Sequence, residues 1–506
     1  MEHARRRYFR TRSDADRVAV ESLECELGRK NVEVEEILDQ MKTTLGLTDE
    51  DLEALESEGS EPRPDHLPRM SLTAELIRPT ANLDAELPKA LEAIERLLPS
   101  QWLEEESRTT AGLTAQFEPD AILSLSKGLR TESEEPSIHR LRQAIYAARS
   151  YLSGDWAYDH FAGATLIPTI VQLGMEFENL GQVRGDVAAR IARLWTGASG
   201  EVDARCFELL TAARCVSKGR KMEFVQETSE KSPDMQCHDP FPIVIECKRQ
   251  NALSVYEKRE EALMKSLFSR LRSMAAQKGI CGTFELRLDV EAANADPEEI
   301  VATLVRQRLA GHPERELTYA WGSCAFRPLS ARVALPSVTR AYSPNMLEWV
   351  FGWTTDLPTW DGICCSISNA KERALDSVRN PVGLTWINTS EKALKKRTWA
   401  PTNLFGDASH QIYPGSFGII YVAYIEGARA VTADMRLEAY QAKLTEWEHS
   451  SNIRIPASFL SRLYPRPMGD GNPDLIESSV QYVSAICGDP LLLKQFPSTI
   501  FTQDRM

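Results

Sequence analysis

The chain has 506 residues, enough for two to four domains at about 150 residues each. Hydrophobic residues make up 42% and charged residues 26%, a globular balance that excludes a mainly disordered chain. The net charge of −14 is uneven: residues 14–60 hold 15 acids against four bases, while residues 201–290 hold 14 acids and 15 bases. This excludes a protein that coats nucleic acid with a broad basic surface, and it says little about what 201–290 binds.

The longest apolar run, Phe161 to Phe177, is broken by Pro168 and Gln172 and is too short to span a bilayer. Met1 to Arg12 holds five arginines with no apolar core behind them, so no secretory signal is expected. The ten cysteines form no CxxC, and no His-x3–5-His occurs, which argues against a zinc module or a disulfide framework. Buried thiols in a reducing cytoplasm are expected instead.

Along the chain, Val34, Ile37, Leu38, Met41 and Leu45 follow helical spacing, and Gly46 suits the stop. Thr48 with Asp49, Glu50 and Asp51 marks another helix start. Ser57 to Pro68 is a Ser/Pro/Glu-rich linker, followed by short helices such as Leu87 to Leu98. Residues 1–135 thus read as an acidic, helical, partly flexible accessory region. A helical extension is expected over 136–200: Ile138, Leu141, Ile145 and Ala148 share one face, and further helices fall at about 160–178 and 183–196.

From 201 the pattern changes. Val202 to Ser217 predicts a helix stopped by Gly219. Met222 to Gln226, Pro233 to Cys237 and Pro242 to Lys248 predict three strands. Tyr256 to Lys278 predicts a long charged helix with Leu263, Leu267 and Leu271 on one face, and Thr283 to Val290 a further strand. This order predicts an α/β fold, a mixed sheet flanked by helices. Further helices are expected over Glu298–Leu309, Ala370–Val378 and Thr432–Ser450, and further strands over Ser330–Leu335, Gly362–Ser366 and Gly415–Tyr424. Trp349, Trp353 and Trp360 read as packing residues. The α/β domain with its elaborations extends over 201–430. Residues 431–506 read as a C-terminal extension, with proline-rich loops and short helices after the 432–450 helix.

The stretch that carries chemistry is Pro233-Asp234, then eleven residues, then Glu246-Cys247-Lys248. Residues two apart on a strand face the same way, so Glu246 and Lys248 project together while Ile245 and Cys247 face the other side. If the preceding short strand pairs with this one, Asp234 sits beside Glu246. Two such carboxylates repel, and a divalent cation relieves the repulsion. Oxygen ligands of this kind suit Mg²⁺, and the Lys248 ammonium is placed to orient water or stabilise charge on phosphorus. Neither the acid-x-Lys triplet nor Pro-Asp, which occurs four times, is specific alone; their spacing, the apolar run before Glu246 and the preceding helix are.

Over about 203–290 the sequence resembles the PD-(D/E)XK nuclease superfamily, with its restriction-endonuclease-like fold. The resemblance rests on the helix FELLTAARC, the strand MEFVQE, the Pro-Asp and IVIECKR. It implies metal ligation by Asp234 and Glu246 with the main-chain carbonyl of Cys247, a catalytic role for Lys248, and a site acid at Glu208 on the first core helix. The residues taken by themselves leave other uses open. Asp234 suits a turn, Glu246 and Lys248 a solvated strand pair, and Glu208 and Glu227 solvent-facing surfaces. Lys218, Arg220, Lys221, Lys231 and Arg249 suit a phosphate-binding rim or isolated solvated charges. Gln250 suits a phosphate contact or a loop, and Lys392, Lys395, Lys396 and Arg397 suit a charged helix face before a nucleic-acid contact. Cys237-His238 makes no zinc site, and no P-loop or GxSxG occurs.

The function expected from the resemblance is a Mg²⁺- or Mn²⁺-dependent endonuclease acting on DNA, in a setting such as restriction or antiphage defence. A homodimer would suit double-strand cleavage, and a regulatory partner protein would suit the long flanking regions. No membrane partner is expected. The rival readings are a non-catalytic nuclease-like interaction protein and an RNA or nucleotide phosphodiesterase. The acidic 14–60 segment is a candidate nucleic-acid mimic that shields the site.

Overall fold

The computed structural model describes residues 69–71, 83–111, 122–126, 129–130, 139–156, 158–226, 232–239, 242–250, 253–309, 317–354, 359–369, 372–426, 429–450, 454–467, 473–484 and 495–501. In chain order, β1 (Arg69–Ser71) precedes α1 (Leu83–Glu95) and α2 (Ser100–Ala111), and the short strands β2 (Leu123–Ser126) and β3 (Leu129–Arg130) follow. Four longer helices come next, with a single turn at Phe177–Leu180 after the second: α3 (Arg140–Leu152), α4 (His160–Met175), α5 (Val187–Thr196) and α6 (Val202–Ser217). Then come β4 (Met222–Phe224), β5 (Met235–Cys237), β6 (Ile243–Arg249), α7 (Val255–Lys278), β7 (Gly282–Leu288) and α8 (Pro297–Leu309). The strands β8 (Leu317–Tyr319), β9 (Gly322–Pro328), β10 (Arg332–Arg340), β11 (Gly362–Ser366), β12 (Ala374–Arg379) and β13 (Val382–Asn388) lead to α9 (Glu391–Ser409). The chain ends with β14 (Phe417–Ile425), α10 (Ala430–Ser450), β15 (Arg454–Pro467) and β16 (Pro473–Val483).

The strands form two seven-stranded sheets and one two-stranded ribbon. The first sheet has the order β1-β16-β15-β14-β6-β5-β4, with β14 parallel to β6 and the β4-β5-β6 run antiparallel. Strand alternation gives it two apolar faces. Ile243, Ile245, Cys247, Ile419 and Tyr421 pack with Phe207 and Leu210 of α6 and with Ile167 and Val171 of α4. Val244, Ile420, Val422 and Tyr424 pack with Phe405 and Ala408 of α9 and with Tyr440 and Leu444 of α10. The sheet is therefore the middle of three layers.

The second sheet has the order β3-β2-β11-β13-β7-β9-β8. One face carries α7 and α8 through Leu267, Phe268, Leu271, Val301 and Leu304. The other is covered by Met346, Leu347, Phe351, Trp353 and Trp360 and by the β10–β12 ribbon. Trp353 and Trp360 are buried as packing residues; Trp349 is exposed.

Helix α7 joins the two halves. Its start is fixed by a capping box between Ser254 and Glu257, and its end by Gly279 at φ 65°. Its first turns bury Glu257, Glu260 and Glu261, the first two among arginines. Glu257 is ion-paired to Arg436, which also pairs with Glu426; Glu260 is paired to Arg397, which pairs with Asp361, and Asp361 with Arg429. The 392–397 basic run is thus divided: Lys395 and Lys396 pair with Glu391 and Glu291, and Arg397 is buried in this junction.

Three expectations give way. The strand after the long helix, β7, joins the second sheet; the place beside β6 is filled by β14. Ala370–Val378 does not form a helix, since Ala374–Arg379 is β12, where Val378 pairs with Val333 and is buried. Cross-strand burial outweighs the local helix propensity there. Beyond residue 450, the two long strands β15 and β16 replace loops and short helices. The prolines fit because β15 needs no N–H where they occur. Pro456 falls where the register with β14 slips, and Pro465 and Pro467 lie past Leu463, the last residue paired to β14.

The segment 14–60, Glu227 and Lys231 lie outside the described residues. No helix among the described residues is long and apolar enough to cross a membrane. Seven of the described cysteines are buried free thiols and Cys281 is half-buried.

Candidate active site

β5 is three residues long and pairs with β6 in the register Met235 to Ile245. That register carries Asp234, just before β5, to the flank of Glu246. The contact runs both ways. The Asp234 amide donates to Glu246 Oε2 at 3.1 Å, and the Cys247 amide donates to Asp234 Oδ2 at 2.8 Å. Pro233 is buried, and its fixed φ narrows the paths the chain can take into this corner.

Cys247 faces the α6 layer with Ile243 and Ile245, so Glu246 and Lys248 share the opposite face with Val244. The Lys248 ammonium lies 2.5 Å from Glu246 Oε1. Oε1 is buried, and this ammonium is its near partner. Glu246 is fully buried, whereas the Lys248 side chain keeps a quarter of its surface in solvent.

Glu208 projects from α6 and is buried, not solvent-facing. It pairs with Arg190 of α5 at 2.7 Å and with Arg205, one turn earlier, at 3.1 Å. Arg190 also reaches Asp234: its Nη1 lies 3.6 Å from Oδ1, and its Nη2 donates to the main-chain carbonyls of Val225 at 3.2 Å and Asp234 at 3.4 Å. One buried guanidinium thus ties the helix acid to the Pro-Asp corner, and the Phe224 ring lies under it.

Burial pushes the carboxyl groups of Glu208, Asp234 and Glu246 each up to about 7. Asp234 adds to the rise at Glu208, and Glu246 to that at Asp234, by repulsion. At Glu246 the Lys248 charge opposes the effect of burial. Burial alone would lower the Lys248 ammonium, but Glu246 outweighs it and Asp234 assists, so the group is raised and stays protonated at neutral pH.

Among the described residues, no three His, Cys, Asp or Glu side chains converge as a ready-made metal cluster. The pair Asp234 and Glu246 nevertheless fits a hard divalent cation. Both are carboxylates, they touch through the backbone, and Glu246 Oε1 is a buried oxygen facing the Lys248 ammonium.

Asp234, Glu246, Cys247 and Lys248 therefore meet at one corner, with Glu208 joined to it through Arg190. The basic cluster around them does not form one rim. Arg249 points to the other face, where it donates to the Asp203 carbonyl at 3.1 Å and stacks on Phe501. Arg220 is held by the Asp239 carbonyl. His238 pairs with Glu223 at 2.7 Å rather than joining Cys237 around a metal.

Two residues, Arg190 and Arg205, emerge only in three dimensions, and a third, Gln250, gains its surroundings there. Arg190 sits one turn before Leu194 on the buried stripe of α5; a charge on an apolar stripe was its one trace in the sequence. Arg205 is three residues before Glu208, the spacing of a helical ion pair. Gln250 continues the Glu246–Lys248 face. Its backbone amide donates to the Ala423 carbonyl at 2.9 Å, but both polar atoms of its side chain are buried without a hydrogen-bond partner among the described residues. No protein-family model, curated protein or solved structure matches the chain.

Proposed function

We propose that this chain is a metal-dependent nuclease that hydrolyses phosphodiester bonds of DNA on a restriction-endonuclease-like core. The observation that carries this reading is the meeting of Asp234, Glu246 and Lys248 at one strand corner. The order helix, three strands, helix, strand supports it. In space that order is α6, β4, β5, β6, α9, β14, with the last two supplied from later in the chain.

Asp234 and Glu246, with the Cys247 carbonyl, are the residues that would hold Mg²⁺ or Mn²⁺; when bound, the ion supplies a Lewis acid for charge on the phosphoryl oxygens. The chain's own residues do the rest. The Cys247 amide fixes the Asp234 carboxylate in one orientation. Lys248, protonated and partly in solvent, is a hydrogen-bond donor for the attacking water or a phosphoryl oxygen, not a base. Arg190 ties the Pro-Asp corner to Glu208 of α6 and so acts as a positioning residue.

The test is cleavage of supercoiled plasmid, linear duplex, single-stranded DNA and RNA, with Mg²⁺, Mn²⁺ or EDTA, beside D234A and K248A. Metal-dependent cutting of DNA that both substitutions abolish is the expected result. Cutting that survives both refutes the site, and cutting of RNA alone transfers the reading to an RNA phosphodiesterase. A second reading, a non-catalytic binding module, draws on Arg190, Arg205 and Lys248, which set three cations against the three carboxylates. Calorimetry showing no Mg²⁺ or Mn²⁺ binding by the folded protein would favour it.

A further inference from the structure

The β10–β12 ribbon stands outside both large sheets. One side is packed: Leu375 and Val378 are buried, with Val333 and Leu335 against the same cluster. The other side is exposed and bears Arg332 and Arg379. These two arginines are direct partners across the antiparallel register. Like charges opposite each other destabilise a ladder. Among the described residues neither is in an ion pair, and Arg332 Nε donates only to the Ser377 hydroxyl, at 3.2 Å. Protection of a sheet edge accounts for Pro336 and for the slip in register between Ala334 and Thr339. It does not account for two arginines face to face.

The ribbon is held firmly. Tyr342 and Asn380, at its two ends, are the non-glycine residues with positive φ among the described residues, at 57° and 45°. Tyr342 is buried, and the Asn380 amide donates to the Ala331 carbonyl at 2.8 Å. At the far end Arg340 lies over the exposed ring of Trp156 and donates to the Gly154 carbonyl. Arg373 adds a fourth arginine there, while the acids of the ribbon are Glu372 and Asp376.

We propose that this ribbon docks on duplex DNA, with Arg332 and Arg379 on its phosphates. The proposal rests on the nuclease reading of the Asp234–Glu246 corner and adds the surface that presents the substrate. A two-stranded ribbon is an element that the major groove of B-DNA, about 12 Å wide, admits. The deep, narrow major groove of A-form RNA does not. Helix α3 runs between the core helix and the ribbon: Arg140 at its start pairs with Asp203 of α6, and Gly154, just past its end, meets Arg340. Its 13 residues span about 20 Å at 1.5 Å each, or roughly six base pairs at 3.4 Å per step.

The test is fluorescence anisotropy of the full chain with a labelled duplex, in EDTA so that nothing is cut. R332Q/R379Q should bind about tenfold more weakly, and the slope of log Kd against log salt should fall by about 1.8, for two phosphates at about 0.9 each. R379E provides the folding control: with an acid opposite Arg332 it should unfold at a higher temperature than wild type and still bind less DNA. Unchanged affinity and slope in R332Q/R379Q would overturn the ribbon while leaving the cleavage test standing. Ribbon-dependent binding by a protein that never cleaves would keep the ribbon and sink the nuclease reading. A preference for duplex RNA over DNA, or no duplex binding by wild type, would overturn the proposal.

Discussion

Lys248→Met separates charge from packing at the strand corner. Methionine keeps the apolar stem and removes the ammonium that lies 2.5 Å from Glu246. Glu246 is fully buried; its Oε1 then faces no cation, and Oε2 keeps only the Asp234 amide. A carboxylate left ionised there would cost about 3–5 kcal/mol, but it escapes that cost by taking up a proton. The wild-type carboxyl already titrates at about 7, so proton uptake limits the extra loss to about 1.4 kcal/mol per pH unit above that point. The direction follows from linkage. Above pH 7 and below the variant's own higher pKa, the folded variant keeps a proton that folded wild type has released. Its relative stability therefore falls as pH rises. In EDTA, denaturant unfolding should show the two proteins within about 0.5 kcal/mol at pH 6, and the variant about 2 kcal/mol weaker at pH 8.5. Mg²⁺ at 100 times its Kd should then add about 2.7 kcal/mol to the variant and flatten the pH dependence. A gap that stays constant from pH 6 to 8.5, or no response to Mg²⁺, would refute the reasoning.

Gln250→Leu removes an amide whose two polar atoms are buried without partners. Stability should hold or rise by about 1 kcal/mol while cleavage falls, as thermal unfolding and plasmid nicking will report; equal activity would make Gln250 a bystander. Asp361 is buried between Arg397 and Arg429. Burial alone would raise its carboxyl, but the two guanidinium charges outweigh it and hold the group below the usual range. Its contribution is present above the unfolded pKa of about 3.9 and is lost as pH falls through the lower folded value. Asp361→Asn should therefore lose about 3 kcal/mol at pH 7 and show a flatter acid limb in urea unfolding between pH 5 and 2.5. Gly362 is paired with Trp386, and a Cβ there would stand 2.0 Å from the indole. Gly362→Ala should lower stability by at least about 1–3 kcal/mol; a variant that unfolds with wild type would mean that this pair is not packed as described.

The parts of the fold that sequence makes legible are those with a local physical signature. Val202 to Ser217 is a helix over its full expected length because its apolar residues recur on all sides and Gly219 takes φ 83° after it. The Asp234–Glu246 meeting followed from alternation and one assumed pairing, and both hold in the register. The role of Arg190 was not legible because its partners lie 18, 35 and 44 residues away. The 374–379 strand was hidden because its burial depends on β10, more than thirty residues earlier, while its own residues favour a helix. β15 was hidden by its prolines, which mark a non-strand unless the partner's register excuses them.

β6 and β14 lie side by side, yet residues 250–416 separate them in the chain. On the ribosome this spacing becomes an order in time, since domains form as the chain emerges. A nascent chain that has exposed Asp234, Glu246 and Lys248 still lacks the strand that flanks Glu246 and the helix that packs over Val244. The whole second sheet apart from its early strands β2 and β3 is synthesised in the interval. A fragment that stops between residues 249 and 416 carries every residue of the motif and no finished corner. Unfinished or prematurely terminated copies therefore lack the assembled corner, and on the nuclease reading we propose they should not cut.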